Sequence, residues 1–317
     1  MLNKNSMNSN NTRILLTGSN GFLGQYVHKE LQHQGVEISN IVIPRSITHD
    51  LRKLTICEEL VKNIDVVIHL AAKVGGIGFN KENPAMLYYD NIIMGTHLID
   101  SAYRAGVKKF VCLGTICAYP KFTPVPFQEQ SLWDGYPEET NAPYGLAKKM
   151  LLVQLQAYRQ QYGFNGIYLL PVNLYGPGDN FNPESSHVIP ALIKKCIDAI
   201  KNKTDQIVIW GDGTASREFV YAQDCAEAIV AATLKYEKGE PVNIGSGQEI
   251  SIKDLVNIIV ELTGFSGKII WDTSKPNGQP RRCLDTSRAK NEFGFVARTS
   301  LKDGLRATIE WYKKNLA

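Results

Sequence analysis

Arg13-Ile14-Leu15-Leu16-Thr17 is a short apolar run that stops at Gly18-Ser19-Asn20-Gly21-Phe22-Leu23-Gly24, after which apolar residues recur at helical spacing through Val27 and Leu31 to Gly35. A strand, a glycine turn and a helix in that order open a dinucleotide-binding fold. Bare backbone lets a pyrophosphate approach closely, and the helix N-terminus faces its negative charge. The glycines are spaced G-x-x-G-x-x-G, which departs from the G-x-G-x-x-G of simple dehydrogenases. Their place between a strand and a helix carries the reading.

Outward from that loop the same alternation continues. A second strand spans Ile38 to Ile43 and ends in Pro44-Arg45-Ser46, where an NAD-selective fold would place a carboxylate against the ribose 2′-hydroxyl. Arg45 suits a 2′-phosphate, so the reading favours NADP over NAD. Asp65 to Ala72 is the next strand, with His69 as a packed core residue, and Phe110 to Gly114 and Ile167 to Pro171 follow with helical stretches between them. This predicts an α/β protein: a Rossmann-type doubly wound parallel sheet with a smaller α/β substrate-binding domain. The nucleotide domain is expected over 12–173, with a helix at 221–236 returning to it; 174–220 and 237–317 form mainly the second domain. The turn-rich Asn173 to Phe181 marks the departure.

The chain has 317 residues, 44% hydrophobic and 21% charged, with a net charge of +4 and no long basic block. That composition implies an ordinary globular protein, no nucleic-acid partner, and a tolerance for an anionic small molecule. Six cysteines show no Cys-x-x-Cys spacing, which fits reduced thiols and a cytoplasmic location. No membrane association is expected, since no apolar stretch approaches transmembrane length. Residues 1–11 are polar and Asn-rich and read as a disordered leader.

The chemistry concentrates further on. Thr115 follows the apolar run Phe110 to Leu113, and Tyr144 and Lys148 lie four apart on a predicted helix that opens with Pro143. Residues so spaced share a helix face, and the Lys148 ammonium together with a cationic nicotinamide is expected to lower the Tyr144 phenol toward neutrality. A hydroxyl past a strand with Tyr-x-x-x-Lys beyond it is what a nicotinamide enzyme needs to move a proton beside a hydride.

Several blocks then resemble one family, the extended short-chain dehydrogenase/reductases, in their nucleotide-sugar epimerase/reductase branch. They are Ala71-Ala-Lys-Val-Gly-Gly-Ile77, Cys117-Ala-Tyr-Pro-Lys121, Asn173-Leu-Tyr-Gly-Pro177, Ser186-His-Val-Ile-Pro-Ala-Leu192, Arg217-Glu-Phe219 and Lys275-Pro-Asn-Gly-Gln-Pro-Arg281. The resemblance implies an NADPH-dependent 3,5-epimerase/4-reductase acting on a GDP-linked 4-keto-6-deoxy sugar, working as a homodimer. It makes Thr115, Tyr144 and Lys148 the reductase triad and Cys117 with His187 the epimerase pair. Cofactor contacts are implied at Gly18, Asn20, Gly21, Phe22 and Leu23; at Arg45, Asp50 and Leu51; at Leu70, Ala71 and Ala72; and at Pro171, Asn173 and Leu174. Tyr144, Lys148 and His187 join them. Val74, Gly75, Lys195, Trp210, Arg217 and Arg281 would hold the substrate, and no metal is implied.

The chain departs from that pattern in places. Thr115 stands where the family usually has Ser, and Lys194-Lys195 where it tends to have arginines. A 4,6-dehydratase would carry an Asp-Glu pair after the hydroxyl residue, and Ile116-Cys117 stand there instead. A simple 4-epimerase has no need of Cys117 and His187, and a sensor without chemistry has no need of Tyr144 and Lys148.

Overall fold

The computed structural model describes residues 12–275 and 277–317; the expected leader at 1–11 lies outside the described residues. The first half alternates as the sequence implies: β1 (Ile14–Thr17), α1 (Phe22–His33), β2 (Ile41–Val42), α2 (Leu54–Leu60), β3 (Val66–His69), α3 (Ile77–Glu82), α4 (Pro84–Arg104), β4 (Lys109–Leu113), α5 (Ala142–Tyr162) and β5 (Gly166–Pro171). Next come β6 (Asn173–Tyr175), α6 (Val188–Lys201), β7 (Gln206–Trp210), β8 (Ser216–Tyr221), α7 (Ala222–Lys235) and β9 (Val242–Ile244). The chain ends with β10 (Glu249–Ser251), α8 (Ile252–Thr263), β11 (Lys268–Asp272), α9 (Ser287–Phe293) and α10 (Leu301–Asn315).

The main sheet has the order β2-β1-β3-β4-β5-β9 and every pairing is parallel. Its strands are buried on both faces, which is why β1, β3 and β4 read as continuous apolar runs. The order reverses between β1 and β3, and the crevice at the carboxyl ends of such strands is where an open α/β sheet binds ligands. Two smaller sheets, β10-β8-β6 and β11-β7, belong to the second layer of the molecule. Their core gathers Phe181, Ile193, Leu255, Ile259 and Leu305, separate from the core around the main sheet.

The structure differs from the sequence reading in two places. The second strand is only Ile41–Val42, preceded by a 3-10 turn at Ile38–Asn40. In addition, β9 pairs with β5 rather than completing the smaller domain, and Leu284, Phe293 and Phe295 pack into the first core. Stretches of 237–317 therefore serve both layers. Buried polar side chains fasten this threading: Glu218 accepts from Leu284 N at 2.6 Å and Gly247 N at 2.7 Å, and Asn243 Nδ2 donates to Phe127 O at 2.9 Å and Asp285 O at 3.0 Å. Periodicity cannot show such long-range partners, because they are set by where distant backbone is left unpaired.

Candidate active site

One cavity of about 1450 Å³ runs from the glycine loop, past the ends of β3, β4 and β5, to the second layer at Trp210 and Arg217. Its first part is a cradle. Gly18 sits at φ 75°, and a Cβ there would come within 2.7 Å of Ala71 N; a Cβ on Gly24 would collide with the Gly18 carbonyl oxygen. Only glycine lets this turn pack both strand and helix. Gly21 caps α1 without a side-chain hydrogen bond, so the first backbone N–H groups of a 12-residue helix face the cavity wall at Phe22 and Leu23. These features fit a dinucleotide's pyrophosphate. Asn20, Leu70, Ala71, Ala72, Pro171, Asn173 and Leu174 line the same part.

His69 lies behind this wall, as the sequence reading expected of a core residue. Its Nδ1 meets Thr17 Oγ1 at 2.8 Å, and Thr17 Oγ1 accepts from Ala71 N at 3.3 Å. Burial drives its pKa down to about 3, so the ring is neutral.

At the far end of the cradle the expected Arg45 stands off the wall. Ser46, Ile47, His49, Asp50, Leu51 and Arg52 line the cavity and Arg45 does not. Arg45 lies exposed in a turn whose carbonyl accepts from Thr48 N and His49 N. The cation on this wall is Arg52, which the sequence reading missed. It donates to Asp50 at 2.9 and 2.8 Å and to Asp90 at 3.2 Å, and holds the Asp50 carboxyl down at about 2. The signal was the short Asp50-Leu51-Arg52 sequence, but Asp90 is recruited only by the fold.

The reacting groups converge at the mouth of β4. Thr115 caps the 3-10 turn Ile116–Ala118, accepting from Cys117 N at 3.2 Å. Helix α5 presses on this turn at Gly145, where a Cβ would meet the Cys117 carbonyl, and that approach brings Tyr144 beside Thr115 and Cys117. Tyr144 is 7% exposed and Lys148 2% exposed. The lowering of Tyr144 is expected of Lys148 together with the nicotinamide cation; the surrounding protein alone acts in the other direction. Burial raises the phenol above its ordinary range, the Cys117 sulfur adds to this, and the hydrogen bond with Thr115 opposes it. Lys148 is itself pulled down by burial. Among low-dielectric walls burial disfavours the charged form of each group. Tyr144 is thus a protonated donor that Thr115 orients.

Cys117 is half-buried, with its sulfur 3.8 Å from Arg282 Nη1. His187 caps α6 and opens onto the cavity, and the protein packed around it lowers its imidazole below the ordinary value. Gly76 N donates to Ser185 O at 3.1 Å, so the loop carrying Val74 and Gly75 is tied to the loop that delivers His187. Glu138 accepts from Thr140 Oγ1 and from Asn141 Nδ2, and Asn80 Nδ2 donates to Asn141 Oδ1 at 3.0 Å; all four residues line the cavity.

In the second layer Lys195, Trp210 and Arg217 line the cavity as expected. Lys195 Nζ donates to Val208 O at 2.8 Å, Lys275 Nζ lies 5.7 Å from the Trp210 ring centroid, and Arg217 donates to Ser216 O and Asn277 O. Arg281 also stands off the wall. It is turned to an exposed ion pair with Glu249 and its neighbour Arg282 enters the cavity instead. In an extended segment successive side chains take opposite sides, so one register step decides which arginine faces the ligand. Asp179, also unpredicted, is 8% exposed on the wall; Oδ1 accepts from Asn180 N at 2.7 Å, Oδ2 has no partner, and burial raises its pKa to about 7.

Residues 14–245 match the NAD dependent epimerase/dehydratase family, with the glycine cradle, Thr115, Tyr144 and Lys148 all inside the matched span. The chain belongs to this family. Relatives within it include GDP-L-fucose synthase 1 of Arabidopsis thaliana, 41% identical over 98% of this chain and 96% of its own length, and GDP-L-fucose synthase of Escherichia coli K12, 34% identical over 96% and 97%. Among epimerase/dehydratase structures, the NADP-bound GDP-L-fucose synthetase of Naegleria fowleri superposes with a TM-score of 0.87 at 28% identity, covering 97% of this chain and 95% of that one. A GDP-6-OMe-4-keto-L-xylo-heptose reductase from C. jejuni superposes with a TM-score of 0.89 at 26% identity, covering 96% and 99%.

Proposed function

We propose that this chain is an NADPH-dependent 3,5-epimerase/4-reductase that converts GDP-4-keto-6-deoxy-D-mannose to GDP-L-fucose. The observation that carries the reading is the convergence, in one cavity, of a dinucleotide cradle, a Thr115–Tyr144 proton donor, and a Cys117/His187 pair. The curated relatives named above, similar along nearly the whole chain, support the substrate and product; the NADP-bound structure supports the cofactor.

NADPH, when bound along the cradle, supplies the hydride for C4. The residues do the rest. Arg217 and Lys195 hold the diphosphate, and Trp210 lies at the guanine end. Thr115 and Tyr144 hydrogen-bond the C4 ketone oxygen, which drains charge from the neighbouring C–H bonds and makes their protons removable. Cys117 and His187 exchange a proton at C5 and then C3 from opposite faces, one removing and the other returning it. Tyr144 finally gives its proton to O4, and its burial suits it to hold that proton until the oxygen carries charge. Lys148 is buried and off the cavity wall; by resemblance it would bind the nicotinamide ribose.

We place the enzyme in the cytoplasm, in keeping with six free thiols, and among the described residues no helix is long and apolar enough to cross a membrane. A homodimer through α4 and α5 is supported by the exposed Tyr88, Tyr89, Val153 and Tyr162 on these two 21-residue helices.

The test incubates enzyme and GDP-4-keto-6-deoxy-mannose with NADPH in deuterated water and follows cofactor absorbance together with deuterium at C3 and C5. Tyr144→Phe is expected to exchange both positions yet lose reduction by at least ~100-fold, and Cys117→Ser to lose exchange while still binding NADPH. Normal reduction by Tyr144→Phe would defeat the assignment; reduction without any exchange would leave a reductase of the heptose type.

A further inference from the structure

The corner of the cavity that holds Cys117 is built around charge. Arg282 Nη1 points a proton at the sulfur over 3.8 Å, and Arg282 is only 9% exposed. Its guanidinium is aimed from behind: Nε donates to Gln279 Oε1 at 2.7 Å, and Gln279 Nε2 in turn donates to Lys121 O at 2.8 Å. Arg217 stands close by on β8. Burial lowers it to about 10, Arg282 pushes further down, and the Cys117 sulfur pulls back up. The carboxylate facing the two guanidinium groups from the loop before α5 is Glu138, which is ionised and already accepts from Thr140 and Asn141. Glu249, which also acts on Arg217, is paired with Arg281.

A guanidinium can only donate. Its contact with a neutral thiol is weak, whereas the same contact with a thiolate is a charge-assisted hydrogen bond. We propose that Arg282 is the positioning residue of the epimerase half-reaction, aiming the Cys117 sulfur at the sugar ring and pairing with the thiolate that the base step requires. This rests on the reading of Cys117 as an epimerisation base. The thiol proton leaves to solvent as the sulfur pairs with the guanidinium. The thiolate then takes the proton from the carbon beside the ketone: S–H forms, C–H breaks, and the electron pair moves onto the ketone oxygen held by Thr115 and Tyr144. His187 relays a proton from solvent to the opposite face, and loss of the thiol proton to solvent resets Cys117. The bland use of two arginines at a GDP-sugar cavity is to grip the diphosphate, and Arg217 is free to do that without Arg282.

The experiment compares Arg282→Gln, Arg282→Lys, Gln279→Ala and Cys117→Ser. The two readouts are iodoacetamide alkylation of Cys117 at pH 7 in substrate-free enzyme and C5 deuterium exchange at saturating substrate. Arg282→Gln is expected to slow both by roughly tenfold or more, since it removes the charge-assisted hydrogen bond to the thiolate; Arg282→Lys should restore most of the alkylation rate. Gln279→Ala keeps the charge and frees its aim, so a smaller loss of alkylation of roughly threefold is expected, and it decides the matter if Arg282→Gln does not fold. Unchanged alkylation and exchange with a raised KM would make Arg282 a diphosphate ligand and overturn the inference. Undiminished exchange in Cys117→Ser would instead overturn the reading of Cys117 itself.

Discussion

At the scale of single residues, burial decides what each titratable group in this cavity can do. Burial raises the Tyr144 phenol because charging it there is costly, and the same burial pulls the Lys148 ammonium down. Asp179 shows the same effect on a carboxyl, raised from 3.8 to about 7. Its sign for stability follows from linkage: the folded pKa exceeds the unfolded one, so the contribution is fully present below about pH 4 and is lost as pH rises toward 7. Asp179→Asn removes that loss. Urea melts are expected to show the variant gaining on the parent between pH 4 and pH 7, by at most ~4 kcal/mol, with no further change above; a constant difference across the range would show that the carboxyl titrates normally.

At the scale of elements, two glycines fix how loops meet. A Cβ on Gly76 would lie 2.7 Å from Ser186 O, one residue from His187. Gly76→Ala is therefore expected to shift the His187 loop and cut C3 and C5 exchange by roughly tenfold or more, while NADPH binding, made by a different wall, changes little; misplacement of about 1 Å commonly costs more than this. Gly145→Ala would force α5 off the Cys117 turn, since its Cβ would meet the Cys117 carbonyl. A loss of about 1–3 kcal/mol is expected in equilibrium unfolding, as for other overpacked contacts, with both half-reactions impaired together. An unaltered melting curve would show that the helix and turn can separate without cost.

At the scale of the whole molecule, the cavity lies where the two layers face each other, so ligands on its walls bear on the stability of both. Saturating NADPH at about 100 times its Kd is expected to stabilise the native state by ~2.7 kcal/mol. A thermal shift with NADPH that is far smaller with NADH would agree with a phosphate-selective cradle, and equal shifts would contradict it.

Much of this was legible in the chain. The β1–glycine–α1 opening, the parallel alternation through β5, Thr115, Tyr144 and Lys148 were all readable because each depends on local pattern: apolar runs, turn glycines and helical spacing. The blocks around Cys117 and His187 were readable by resemblance. What sequence could not supply was each group's surroundings. That β9 joins β5, that Arg282 and not Arg281 meets the sulfur, that Arg52 and not Arg45 lines the cradle, and that burial raises the Tyr144 phenol follow from distant chain segments closing around these residues. Local propensity and periodicity act over a few neighbours, whereas facing, burial and charge depend on everything packed within a few ångströms, and only the tertiary structure brings that together.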